Sequence, residues 1–144
     1  MPRFFYLPEA ERLLPQVEPV LRNIIDRKQE FEQSDRELDA LTSQIAAAGG
    51  MIPPRERMAD LRERKKRCVE ALGASLEKLE DTGCLLKDAD IGLVDFPTLY
   101  RGAEVYLCWK LGETGISHWH HVEDGFRGRR AIDSDFMANH RGET

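Results

Sequence analysis

The chain has 144 residues, of which 41% are hydrophobic and 33% charged, and its net charge is -5. This length fits one domain with a single core, and the high charge favours long solvent-exposed helices over a thick globule. The negative charge excludes attraction of the whole protein to nucleic acid or to anionic membranes, so nucleic-acid binding would need a local basic patch.

The cysteines Cys68, Cys84 and Cys108 are odd in number and widely spaced, and they form no C-x-x-C pair. This pattern is typical of reduced thiols in the cytosol. The first ten residues lack the apolar core and the cleavage site of a signal peptide, and no segment has the roughly 18 apolar residues of a membrane helix. The sequence therefore predicts a cytoplasmic protein that does not enter the membrane.

Two long helices are predicted for residues 8–80. Apolar residues recur at a seven-residue step over Val17–Ile45, a pattern of amphipathic helices and coiled coils. Pro15 and Pro19 each remove a backbone donor, which predicts a short N-terminal helix joined by a kink to a continuous helix over residues 19–48. Glycines and prolines at 49–54 break the pattern, and a second apolar stripe runs from Met58 until Gly83 ends it.

The short connection predicts that the two helices form an antiparallel hairpin. The basic stretch Arg55–Arg67 would then lie beside the acidic stretch Asp26–Asp39. The run Arg62–Arg67 has two interpretations, an RNA-binding patch or a solvated flank paired with the neighbouring helix. No aromatic residue interleaves the run to stack on bases, so the solvated flank is favoured and RNA binding is kept as an alternative.

Short apolar segments at 84–86, 91–96, 104–111 and 116–122 predict a small antiparallel meander over residues 84–132. The fold class is therefore α+β in one domain, residues 1–144, with a mobile tail at 133–144. A four-residue turn at Gly112–Gly115 would pair Leu111 with Ile116. That register places His118 and His120 on the apolar face with Leu107 and Trp109, the face expected to meet the helices.

Several runs of the sequence are similar to a known family. The chain resembles the bacterial uncharacterised family called domain of unknown function 2203. The resemblance implies no substrate, cofactor or reaction, but it marks Glu113, Trp119, His120 and Arg129 as candidate ligand-binding positions. The runs that carry it are Glu9-Ala10, Leu13–Pro15, Asp90–Pro97, Leu107–Glu113, Trp119-His120 and Gly125–Arg129.

The histidines offer the clearest candidate chemistry. His118 and His120 alternate along a strand and would point the same way, as a divalent metal site on a sheet requires, and Asp95 is the candidate third ligand. One intervening strand would, however, keep Asp95 about 10 Å from His120. Alternatively, His120 anchors the sheet through a hydrogen bond, or His120 and Arg129 hold a small anionic ligand. Cys108 is interpreted as an apolar filler.

These observations favour an oligomeric binding or assembly protein, because two long helices and a small sheet leave more apolar surface than one subunit covers. A metal-dependent hydrolase using His118, His120 and a carboxylate is the competing hypothesis. RNA binding through the second helix is the third.

Overall fold

A computed structural model of the chain describes residues 3–49 and 54–143. Two long helices precede an antiparallel meander, which confirms the predicted α+β class. Internal contacts divide the chain into two compact units, Met1–Arg22 with Glu77–Thr144, called here the sheet unit, and Asn23–Leu76, called the hairpin unit. Within the described ranges, no helix is both long and apolar enough to cross a membrane.

The first helix, α1, spans Leu7–Ala47, and the second, α2, spans Arg55–Asp81. Because α1 continues through Pro15 and Pro19, the prediction of a separate short helix is corrected. Both prolines lie on the exposed side of α1, where water can hydrate the carbonyls that lose their helical partners. Burial of Val17 and Leu21 on the other side of the helix offsets the two lost hydrogen bonds.

The hairpin unit pairs α1 and α2 in antiparallel fashion. The Asn23 side chain donates to the Ser75 hydroxyl near one end, and the Lys65 ammonium lies 2.6 Å from the Asp35 carboxylate further along. The structure thus confirms the helical hairpin and places basic residues of α2 beside acidic residues of α1. The predicted breaker at residues 50–53 lies outside the described residues.

The described residues of the sheet unit form six strands, ordered β1-β2-β3-β4-β5, with β6 also paired to β2. Every pairing is antiparallel. The strands are β1 Leu85–Asp88, β2 Leu93–Tyr100, β3 Ala103–Lys110, β4 His118–His121, β5 Arg130–Ala131 and β6 His140–Arg141.

The register between β3 and β4 differs by one residue from the prediction. Cys108 pairs with His118 and Tyr106 with His120, because residues 111–117 form a connection longer than a four-residue turn. A one-residue slip moves every side chain of a strand to the other face. His118 and His120 therefore lie on the face opposite Leu107, and the predicted placement of both histidines is wrong.

The segment predicted to be a mobile tail contains regular structure. Residues Ser134–Asn139 form helix α3, whose Phe136 is buried and stacks on the rings of Tyr100 and Trp119. The Leu7 amide donates to His140 Nε2 at 3.0 Å, and the Glu143 amide donates to the Phe4 carbonyl. Aromatic stacking and these long-range bonds supply the stabilisation that the polar composition of the tail did not suggest.

The sheet has two unlike faces. One face carries the apolar core, including the buried Phe96, Leu107 and Trp109, and Phe96 packs edge-on against Phe5 at the start of the chain. The other face carries Asp95 and Cys108, which are paired across β2 and β3. That second face contains the candidate site.

Candidate functional site

Three neighbouring strands each contribute one buried side chain to a cluster on the second face of the sheet. Asp95 comes from β2, Cys108 from β3 and His120 from β4. Their exposed fractions are 0%, 0% and 3%. Because buried polar groups must be satisfied by one another, three such groups side by side form a defined cluster. We call it the Asp–Cys–His cluster.

His120 is fixed at both ring nitrogens. Its Nδ1 lies 2.8 Å from the His121 carbonyl oxygen, which can only accept, so Nδ1 carries a proton. Its Nε2 lies 3.0 Å from both oxygens of Asp95. This contact needs one further proton, held either by Nε2 or by the carboxyl group. Asp95 and His120 therefore share a proton, and the pair is neutral overall.

Burial raises the pKa of the Asp95 carboxyl, although the hydrogen bond and positive charge of His120 act in the opposite direction. Burial also raises the pKa of the Cys108 thiol to about 12, and the nearby Asp95 carboxylate adds to this shift. The thiol is therefore protonated near neutrality and is a poor nucleophile in this state. Without a bound ion, the whole cluster carries no net charge.

A cavity of about 190 Å³ opens onto the cluster. Asp95 and His120 form part of its lining, so the cluster is reachable from the surface through this cavity. Glu123 and Asp124 bring two carboxylates to the lining, whereas Lys87 brings one ammonium group, which lies over the Tyr106 ring. The lining thus favours a cation over an anion.

An ion pair lies just beyond residues 122–126, which line this cavity. Arg129 donates to both carboxylate oxygens of Glu113, at 2.8 and 2.9 Å, and its guanidinium lies over the Phe126 ring. The Glu113 carboxylate also accepts from the Lys110 amide. Arg129 is thus paired with Glu113 through Nη2, whereas its buried Nε atom has no acceptor among the described residues, and binding of an anionic ligand by Arg129 stays a prediction.

The structure separates the residues that the sequence grouped. Trp119 lies on the apolar face, away from His120, and His118 Nδ1 contacts the Ser117 hydroxyl at 2.9 Å. Asp95, by contrast, meets His120 directly, so the expected separation of about 10 Å is wrong. That separation applies to the backbones of alternate strands, whereas the two side chains extend toward each other over β3.

Sequence reasoning missed Cys108 because the slipped register assigned it to the face away from His120. The corrected register would have placed Asp95, Cys108 and His120 on one face. Together they offer an oxygen, a sulfur and a nitrogen atom within 4.8 Å of one another, an arrangement that could hold a metal ion. Among the residues that the structure describes, no other group of three such side chains converges in this way.

Comparison with known proteins identifies a family without an assigned activity. The model of the family described as "uncharacterized conserved protein (DUF2203)" matches residues 3–132. No curated protein matches the chain. No solved structure matches it either. Its function must therefore be inferred from the geometry of the site.

Proposed function

Since the chain belongs to this uncharacterized conserved family, DUF2203, we propose a function from its site geometry: the protein binds a divalent transition-metal ion through Asp95, Cys108 and His120. The observation that carries this proposal is the convergence of three different buried donor atoms within 4.8 Å. Cys108 takes the place of His118 in the ligand set that the sequence suggested.

The identity of the donors supports a transition metal. Thiolate and imidazole ligands suit zinc and its neighbours, whereas magnesium and calcium prefer sites built from oxygen atoms. Tetrahedral coordination at bond lengths of about 2.0–2.3 Å places donor atoms roughly 3.3–3.7 Å apart. The present donors lie within 4.8 Å, so side-chain shifts of about 1 Å would bring them into coordination.

Charge balance also supports the proposal. The ion would replace two protons, the one that Asp95 and His120 share and the one on the Cys108 thiol. Two positive charges leave as one doubly charged ion enters, so the buried site stays neutral. This exchange avoids the large cost of burying an uncompensated charge.

Elemental analysis of protein purified without a histidine tag tests the proposal first. We expect about one equivalent of metal. After a chelator has removed that metal, the protein should bind Co²⁺ and develop the thiolate-to-cobalt absorption band of a cysteine ligand. Cys108→Ser should abolish that band. Cys84→Ser is the matched control because Cys84 is also buried but lies outside the cluster, and it should keep the band. A band that survives Cys108→Ser would refute the proposed ligand set.

Metal-dependent hydrolysis is the second candidate function. Three protein ligands leave a fourth position for water, and the cavity that reaches Asp95 and His120 gives a substrate access to it. The zinc-loaded protein should then hydrolyse small esters, and the chelated protein should not. If the protein binds metal but does not hydrolyse ester, phosphate or amide substrates, hydrolysis is excluded and metal binding remains the proposed function.

We also keep self-association as part of the proposal. Leu85, Ile91, Val122 and Phe126 in the sheet unit expose 37–44% of their surface, and a second copy could cover them. Light scattering should then give a mass above 16.5 kDa. A cytoplasmic location is proposed on the ground that Cys68, Cys84 and Cys108 are all free thiols.

A further inference from the structure

The hairpin unit contains a second cavity, of about 280 Å³, which lies between its two helices. Three arginines line it, Arg27 from α1 and Arg64 and Arg67 from α2. Ala71 is also part of the lining, and its short side chain leaves room beside the guanidinium groups. The basic run that the sequence singled out therefore contributes to a concave site.

These arginines are only partly neutralised. Arg27 lies 3.2 Å from Glu30, yet its Nε atom is buried and finds no acceptor in the described part of the chain. Arg64 is half exposed and lies 3.5 Å from Glu37. Arg67 has no hydrogen-bond or ion-pair partner among the described residues. A buried donor without an acceptor is costly, and an acceptor from a ligand would satisfy it.

We propose that this cavity binds a phosphate group. Three guanidinium groups face one lining carboxylate, that of Glu30, and only Arg64 has a further carboxylate, Glu37, beside it, so the cavity has an excess of positive charge that favours an anion. Guanidinium forks bind phosphate oxygens through paired hydrogen bonds, and Arg27 Nε supplies a donor that is already desolvated. The site is separate from the proposed metal centre, and neither depends on the other.

A phosphate on a small molecule fits this cavity better than the backbone of RNA. Among the residues that the structure describes, no aromatic side chain lines it to stack on a base, and the net charge of -5 opposes a long polyanion. The ligand class is therefore a phosphomonoester or inorganic phosphate.

Calorimetric titration of the full chain with inorganic phosphate tests the site. A chelator is present so that bound metal cannot capture the anion, and the ionic strength is held constant. Arg67→Gln should weaken binding about 10-fold or more, as expected for a lost charged hydrogen bond. Arg62→Gln is the matched control because Arg62 is exposed in the same run but does not line the cavity, and it should change little. Glu30→Gln should strengthen binding because it removes the competing carboxylate.

Two results would overturn the proposal. One is equal weakening by Arg67→Gln and Arg62→Gln, which would show a diffuse surface attraction. The other is failure of inorganic phosphate to bind; binding of a single-stranded RNA oligonucleotide that falls steeply with salt would then favour the nucleic-acid interpretation. Circular dichroism of each variant would establish that it is folded.

Discussion

Removing either member of the buried Asp95 and His120 pair should destabilise the sheet unit strongly. Asp95 is 0% exposed and His120 3% exposed, so neither can recover its lost partner from water. Breaking such a pair typically costs about 3–5 kcal/mol, because one ionisable group is left buried and unpaired. We therefore expect Asp95→Ala and His120→Ala each to lower the free energy of unfolding by this amount.

The double variant distinguishes pairing from simple loss of packing. Asp95→Ala with His120→Ala leaves neither member of the pair buried without the other, so its loss should be close to that of either single variant. Independent losses would sum to about 6–10 kcal/mol, and the expected coupling free energy is therefore about 3–5 kcal/mol. Asp95→Asn should cost less than Asp95→Ala, because its amide can donate to Nε2 of a neutral His120.

Urea unfolding in the presence of chelator measures these free energies without a contribution from bound metal. The fluorescence of Trp109 and Trp119 reports on unfolding of the sheet unit, since both residues lie in strands of the sheet. His118→Ala is the matched control and should cost under about 1 kcal/mol, because its hydrogen bond to Ser117 is exposed. Additive losses in the double variant would refute the shared-proton interpretation.

Three further predictions concern the same unit. The pKa of Cys108 rises from 9.0 to about 12 on folding, so the thiol of the unfolded chain loses its proton at lower pH than that of the folded chain. The free energy of unfolding should therefore fall between these pH values by up to about 1.4 kcal/mol per pH unit. Urea unfolding of Cys108→Ser should lack this pH dependence. Glu113→Gln should weaken the ion pair with Arg129, lower the free energy of unfolding by about 1–2 kcal/mol and speed proteolysis of residues 122–129. An unchanged rate of cleavage would contradict the anchoring role of this ion pair. His140→Ala should cost about 1–3 kcal/mol and speed hydrogen exchange at the Leu7 amide, whereas full protection of that amide would show that His140 is not its essential acceptor.

The helices were predictable because their information is local. Apolar residues at helical spacing determine α1 and α2, and within the described residues the structure departs from the predicted helices at Pro15 and Pro19. At these two positions the helix continues because the prolines are exposed and the opposite side of the helix is packed. Sequence pattern alone does not show which side of a helix will meet water.

The site was less predictable because it depends on the register of two strands. The Glu113 amide donates to the Lys110 carbonyl, and the Trp109 indole donates to the Glu113 carbonyl, so the chain folds back before residues 114–117 lead into β4. The spacing of glycines at 112 and 115 does not reveal these contacts. A one-residue difference was enough to separate Cys108 from His120 in the prediction, although Asp95 and His120 were both among the predicted site residues.

The bonds that join Leu7 to His140 and Phe4 to Glu143 have a consequence for folding during synthesis. Leu7 and His140 are 133 positions apart in the chain, so this part of the sheet unit can close only after residue 143 has left the ribosome. All residues of the hairpin unit, Asn23–Leu76, are synthesised well before that point. Ribosome-bound chains that stop short of residue 140 should therefore leave the Leu7 amide unprotected.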